Sequence, residues 1–180
     1  MYLSQVMLNV HDSYEQHQAI WSLFANVPER KRDHLFRVEQ EDSQQIKVLL
    51  QSSTLPKTSE QASVLAYKEF NPSIIQDGFY KFKLLACPTK CLSQGKKVLE
   101  IKEADEQVQW LQRKLKGANV TVTAMEDKLV RSKKSFNSRF VCFEGLLQVT
   151  DCVQIERVLV MGVGRKKHAG AGLLSLARTK

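Results

Sequence analysis

The sequence predicts an α+β protein made of two ferredoxin-like (RRM-like) units in tandem, each with the element order β-α-β-β-α-β. The 180 residues are 43% hydrophobic and 26% charged, which is typical of a globular protein and leaves room for two domains of about 90 residues. Short apolar runs typical of strands alternate with stretches in which apolar residues recur at helical spacing. No sequence repeat relates the two halves, so the duplication is predicted from element order alone.

The first predicted domain covers residues 1–87. Its opening segment, MYLSQVMLNV, has the alternating pattern of a strand. Asp12 or Ser13 can cap a helix that continues to about Ala25 and is stopped by Pro28. The remaining predicted elements are strands at 34–39 and 45–51, a short helix around 58–66, and a strand at 79–86.

The second predicted domain covers residues 98–180 and follows a polar linker that contains Pro and Gly. Its clearest element is an amphipathic helix from Glu103 to Lys116, with acidic residues first, basic residues last and Gly117 at its end. Asp151 can cap a second helix that reaches about Val160. The predicted strands are at 98–101, 120–124, 139–149 and 173–177.

Composition argues against several classes of protein. The longest stretch without a formal charge, residues 16–28, is shorter than the roughly 18 residues that a membrane helix needs. The N-terminus lacks the basic lead-in and cleavage site of a signal peptide, so we expect a cytoplasmic protein with no membrane partner. The four cysteines are too few for a disulfide scaffold, and their one C-x3-C pair does not complete a zinc site. We therefore expect reduced thiols, no bound metal and no cofactor.

The net positive charge of the chain lies entirely in its second half. Residues 1–90 hold 10 basic and 10 acidic residues, whereas residues 91–180 hold 17 and 9, which accounts for the whole net charge of +8. Such asymmetry is typical of a protein that binds a polyanion, although a basic surface without a particular partner stays the alternative. Two clusters dominate, Lys128, Arg131, Lys133, Lys134 and Arg139 in the first, and Arg165, Lys166, Lys167, Arg178 and Lys180 in the second.

A glycine-rich segment, GVGRKKHAGAG at residues 162–172, has the spacing of neither a dinucleotide-binding fingerprint nor a P-loop. The amides beside Gly162 and Gly164 and the side chains of Arg165, Lys166 and Lys167 can approach phosphates closely. A simple turn between a helix and a strand, with solvated lysines, is the alternative.

His17 is the histidine with the most suggestive neighbour, because Tyr14 lies three residues earlier on the same predicted helix, about 60° away around its axis. An imidazole can exchange a proton near neutral pH, and a tyrosine hydroxyl can orient it. A structural role for His17 stays open, since it also borders the apolar stripe of its helix. Together with the basic residues, these groups suit attack of an RNA 2′-hydroxyl on the adjacent phosphate, which needs a base, an acid and cationic support.

Six segments, in order along the chain, resemble the CasE family, the CRISPR precursor-RNA endoribonucleases of type I-E Cascade complexes. They are MYLSQVML, YEQHQAIWSLF, RDHLFRVE, IKEADEQVQWLQRKL, VCFEGLLQVTD and GVGRKKHAGAGLLSLA. The resemblance implies two ferredoxin-like domains and metal-independent cleavage on the 3′ side of a CRISPR repeat RNA hairpin. The implied products are a 2′,3′-cyclic phosphate and a 5′-hydroxyl, with the hairpin retained in a complex with other Cascade subunits.

The resemblance also implies roles for particular residues. Tyr14 and His17 fall on the family's active-site tyrosine and histidine, Lys167 on the lysine of its terminal glycine-rich loop, and residues 128–139 on its positively charged arm. Arg165 stands where proline is common in the family and His168 where a small residue is common. The rival interpretation is a non-catalytic RNA-hairpin-binding subunit of a ribonucleoprotein; a small-molecule enzyme lacks any supporting motif.

Overall fold

A computed structural model describes residues 1–92, 97–133 and 137–179, which form two compact units. The first unit takes its described residues from 1–71, 130–137 and 167–170. The second takes them from 72–129, 138–166 and 171–180. Two short segments from late in the chain therefore belong to the first unit.

The first unit is an antiparallel four-stranded sheet with one α-helix. In chain order its elements are β1 (Tyr2–Leu8), α1 (Ser13–Ser22), β2 (His34–Glu41), β3 (Ile46–Ser52) and β4 (Ala62–Glu69). The strand order β2-β3-β1-β4 is that of a ferredoxin-like domain. Ile20 of α1 and Leu23 at its C-terminal cap are buried against Val6, Val48 and Leu50 of the sheet, and this burial fixes which face of α1 points outward.

The prediction of a helix around residues 58–66 is wrong, because a strand, β4, occupies Ala62–Glu69 and pairs with β1. Ala62 is buried and Val64 packs on the core, while Ser63 and Leu65 are exposed, so the side chains alternate as in a strand. Pairing with β1 satisfies the backbone groups on one edge of β1 and outweighs the local preference for a helix.

The second unit has the complete β-α-β-β-α-β order, with a small hairpin inserted after its first strand. Its main elements are β5 (Phe79–Ala86), α2 (Ala104–Lys114), β8 (Ala118–Val130), β9 (Ser138–Val149), α3 (Cys152–Met161) and β10 (Leu174–Arg178), and the hairpin is β6 (Thr89–Cys91) with β7 (Val98–Glu100). The sheet order is β10-β5-β9-β8. The tandem ferredoxin-like fold predicted from element order is thus confirmed, with one helix missing between β3 and β4.

The strand at residues 79–86 exists as predicted but belongs to the other sheet. Phe79 lies opposite Gln148 of β9, and Leu84 lies opposite Leu174 of β10. β5 is the first strand of the second unit along the chain, and that unit begins at Pro72. The predicted domains, 1–87 and 98–180, instead put this strand in the first domain. The predicted linker at 88–97 contains β6, which pairs with β7.

Candidate active site

The N-terminal part of α1 presents Tyr14 and His17, and Asp12 fixes where this helix begins. The Asp12 carboxylate accepts hydrogen bonds from the backbone N–H groups of Tyr14 at 3.0 Å and Glu15 at 3.4 Å. Both Tyr14 and His17 are half-buried, and the Tyr14 hydroxyl accepts a hydrogen bond from Gln18 at 3.3 Å. The two side chains therefore stand on the exposed side of a helix whose other face is anchored in the core.

A short 3₁₀ turn, Lys167–Ala169, lies against α1 and β2 in the same unit. The turn places the ring of His168 6.0 Å from the ring of His17, with the ring planes 77° apart. Gly170 closes the turn with a backbone φ of +88°, which only glycine adopts readily, and a Cβ added there would lie 3.2 Å from the Phe36 ring. Two residues that the sequence singles out, His17 and Lys167, thus meet in one unit.

The surroundings of His17 favour its neutral form. Burial lowers the pKa of His17, and the nearby Arg32 guanidinium and His168 lower it further. Among the residues that the structure describes, none forms a hydrogen bond with the buried Nδ1 atom of His17. His17 is therefore suited to accept a proton near neutral pH.

Arg32, an exposed residue of the loop before β2, supplies positive charge beside both His17 and Lys167. The pKa of Lys167 is lowered by burial and, to a smaller extent, by Arg32. No motif or spacing in the sequence selects Arg32, because only the fold packs β2, which follows this loop, against the turn at 167–169. A group of cations of this kind can support negative charge on a phosphate.

Behind His17 lies a cluster of stacked rings, which we call the aromatic stack: Trp21, Phe24 and His34. The buried His34 ring lies 5.1 Å from Trp21, and the Trp21 ring lies edge-on to His17 at 6.1 Å. The Arg30 guanidinium covers the Phe24 ring at 4.0 Å and pairs with the Asp33 carboxylate. The aromatic stack gives His17 a rigid support. The sequence does not indicate this role of His34, because its ring partners, Trp21 on α1 and Phe24 just after it, lie 13 and 10 residues away along the chain.

Residues 131–133 of the predicted basic arm dock on the N-terminus of α1. The Arg131 carbonyl accepts a hydrogen bond from Ser13 N–H at 3.3 Å, and Lys133 N–H donates to the Asp12 carboxylate at 2.6 Å. The Lys133 ammonium also pairs with Glu15 at 2.8 Å. Residues 131–133 therefore extend the surface beside Tyr14 and His17.

The other members of the predicted arm lie elsewhere or outside the described residues. Lys128 is half-buried on β8. Arg139, in the second unit, pairs with Asp127 at 2.9 Å. Lys134 falls outside the described part of the chain, as does Lys180 of the second basic cluster.

The glycine-rich loop divides between the two units. Gly162 and Gly164, with φ values of +73° and +72°, belong with Arg165 and Lys166 to the second unit. A Cβ on Gly164 would lie 3.0 Å from the Trp110 ring, so the fold itself requires these glycines. Arg165 is exposed and lines a cavity of about 410 Å³ together with Lys90, Trp110 and Lys114. Lys167 is the basic loop residue that the structure groups with His17.

Metal-binding clusters and membrane helices are both missing from the described part of the chain. No group of three or more His, Cys, Asp or Glu side chains in residues 1–92, 97–133 and 137–179 could hold a metal ion. Over the same residues, no helix is long and apolar enough to cross a membrane.

Comparison with known proteins decides the family. The model of the family described as "CRISPR associated protein" matches residues 1–178. The chain is 34% identical to the CRISPR system Cascade subunit CasE of Escherichia coli (strain K12), over 98% of this chain and 99% of that protein. The chain belongs to the CasE family of CRISPR-associated proteins.

Two further matches of this CasE-family protein come from Thermus thermophilus. The CRISPR-associated endoribonuclease Cse3 of that organism is 29% identical over 98% of this chain and all of that protein. A solved structure of Thermus thermophilus Cse3, bound to an RNA representing a pre-cleavage complex, has a TM-score of 0.82 and 25% identity, and covers 98% of this chain and 100% of that chain. The similarity to the CasE family inferred from the six sequence segments is confirmed.

Proposed function

We propose that this protein is an endoribonuclease that cleaves CRISPR precursor RNA at the base of the repeat hairpin and keeps the product as a cytoplasmic subunit of Cascade. The observation that most directly supports this proposal is that the turn containing Lys167 packs against the helix containing His17. Two relatives also support the proposal: one is the Escherichia coli Cascade subunit CasE, and the other is the Thermus thermophilus CRISPR-associated endoribonuclease Cse3.

The proposed reaction is a metal-independent transesterification. The 2′-oxygen forms a bond to phosphorus and the bond from phosphorus to the 5′-oxygen breaks, which leaves a 2′,3′-cyclic phosphate and a 5′-hydroxyl. One proton leaves the 2′-hydroxyl and one joins the 5′-oxygen. His17 takes part in proton transfer, Tyr14 orients the reacting groups, and Lys167 stabilises negative charge on the phosphate, with Arg32 adding to the positive field.

The remaining basic residues are assigned to RNA binding. A-form RNA exposes its phosphates and shape more than its base edges, so a hairpin is held mainly by Lys and Arg. Residues 131–133 are supported in this role because they sit at the N-terminus of the helix with Tyr14 and His17. The proposed RNA-binding residues are Lys128, Arg131, Lys133, Lys134, Arg139, Gly162, Gly164, Arg165 and Lys166.

The test is cleavage of end-labelled repeat RNA by purified protein in the presence of EDTA, with analysis of the fragment ends. We expect a 2′,3′-cyclic phosphate, and we expect His17→Ala to slow cleavage by about 10²–10⁴-fold while RNA affinity stays unchanged. His11→Ala is the matched control, because His11 is an exposed histidine that bonds the Asp42 carbonyl at 2.8 Å.

Two results would contradict the proposal. Loss of cleavage in EDTA would indicate a metal-dependent reaction. Tight hairpin binding without any cyclic-phosphate product, by wild-type protein, would instead identify a non-catalytic RNA-binding subunit.

A further inference from the structure

His168 is a second imidazole at the proposed active site, and the proposed transesterification gives it no role. Its ring lies 6.0 Å from that of His17, and it is exposed whereas His17 is half-buried. It neighbours Lys167 in the 3₁₀ turn that contacts α1. Three groups able to act on a phosphodiester, two imidazoles and an ammonium, are thus carried by one helix and one turn.

The separation of the two rings matches the needs of the reaction. An attacking oxygen approaches phosphorus to about 3–3.5 Å, and a proton-transfer group lies about 3 Å from the oxygen that it serves. Two imidazoles whose centres are 6.0 Å apart can therefore each reach one of the two oxygens of a single phosphodiester. Proton removal at the 2′-oxygen and proton delivery at the 5′-oxygen then need not be done by one side chain.

The two rings also differ in a way that separates their roles. His17 is held in its neutral form by partial burial and by Arg32, which suits a base. His168 is exposed to solvent on its turn and does not bear the same burial, so water can reach its ring between cleavages. A proton donor is best placed where it can be recharged from water after each cleavage.

We infer that His168 is a further catalytic residue, the general acid that donates a proton to the 5′-oxygen as the P–O5′ bond breaks, while His17 accepts the proton of the 2′-hydroxyl as the O2′–P bond forms. This inference rests on the proposed function. At the end of the step His17 carries one proton more and His168 one fewer, and exchange with water restores both.

The test compares two RNA hairpins that differ at one atom. In the first the cleaved linkage is ordinary; in the second sulfur replaces the bridging 5′-oxygen, and a thiolate leaves without needing a proton. We expect His168→Ala and His168→Asn to slow single-turnover cleavage of the ordinary linkage by about 10²–10⁴-fold, with RNA affinity unchanged. On the sulfur-containing linkage we expect both variants to recover to within about threefold of wild type, whereas His17→Ala stays slow on both.

The outcomes separate this inference from the proposed function. If wild-type protein cleaves the RNA and the His168→Ala variant cleaves it equally fast, the inference is wrong and the proposed function stands. Equal slowing of His168→Ala on both linkages also overturns it, because the residue would then position RNA without donating a proton. Wild-type protein that cleaves neither hairpin overturns the proposed function and the inference together.

Discussion

The buried imidazole of His34 stacks on the ring of Phe24, with the ring centres 5.2 Å apart and the planes 18° apart. His34 is only 4% exposed, and Trp21 packs edge-on against it. Burial, followed by the positive charge of Arg32, lowers the pKa of His34 to about 4, although Asp33 acts in the opposite direction. The aromatic stack is therefore built around a histidine that has to stay neutral.

This burial predicts a loss of stability in acid. The unfolded chain takes up a proton at His34 near its ordinary pKa of 6.5, whereas the folded protein does so only near 4, so stability is complete above pH 6.5 and falls as the pH drops towards 4. We expect His34 to account for a loss of about 3 kcal/mol in the free energy of unfolding between pH 7 and pH 4. Urea unfolding at a series of pH values measures this loss.

His34→Phe, which keeps a ring between Trp21 and Phe24, is expected to remove that part of the pH dependence, and His11→Gln is expected to retain it. A His34→Phe variant with the same loss of stability in acid as wild type would contradict the assignment.

Arg32 is expected to tune the proton affinity of His17. Since the Arg32 charge lowers the pKa of His17, Arg32→Ala should raise that pKa, and the neutral form of His17 should be lost at a higher pH. The shift in the NMR titration of the His17 ring protons measures the effect directly and needs no RNA. Lys31→Ala removes an exposed neighbouring charge and serves as the control. A His17 titration unaltered by Arg32→Ala would place the cation too far away to act.

Asp12 has two structural roles, and a matched variant separates them. Asp12 caps α1 and also accepts the hydrogen bond from Lys133 N–H, whereas Asp151 caps α3 through Gln154 N–H. We expect Asp151→Ala to cost about 1 kcal/mol of unfolding free energy and Asp12→Ala about 1–2 kcal/mol more, because Asp12→Ala also removes the carboxylate that accepts the hydrogen bond from Lys133 N–H. Chemical denaturation measures both values, and equal losses would show that the Lys133 contact contributes nothing. Asp12→Ala should also speed hydrogen exchange at the amide of Lys133.

Most of the fold could be predicted because the information is local. The period-2 pattern of Ile46–Ser52 and the acid-to-base gradient of Ala104–Lys114 indicate a strand and a helix without reference to the rest of the chain. The pattern of Phe79–Ala86 also indicates a strand but not its sheet, because its pairing depends on partners 55 to 98 residues away along the chain. The helix predicted around residues 58–66 was wrong for a related reason, since pairing with β1 decides the conformation of Ala62–Glu69.

The candidate site shows the same division. Tyr14 and His17 share a helix, and their spacing alone places them on one face. Lys167 could be selected through the resemblance to the CasE family. Arg32, His34 and His168 act through contacts between distant parts of the chain, and no spacing rule in a single sequence predicts such contacts. The catalytic and RNA-binding roles of all these residues stay predictions until the variants are measured.

The mixed origin of the first unit has a consequence for biosynthesis. Its sheet and α1 are encoded first, and the turn with Lys167 and His168 is encoded much later along the same message. A ribosome therefore exposes His17 long before it exposes its partners, and a nascent chain lacks the complete site until residue 170 has emerged. Translation itself thereby delays the point at which a chain can begin to cut RNA.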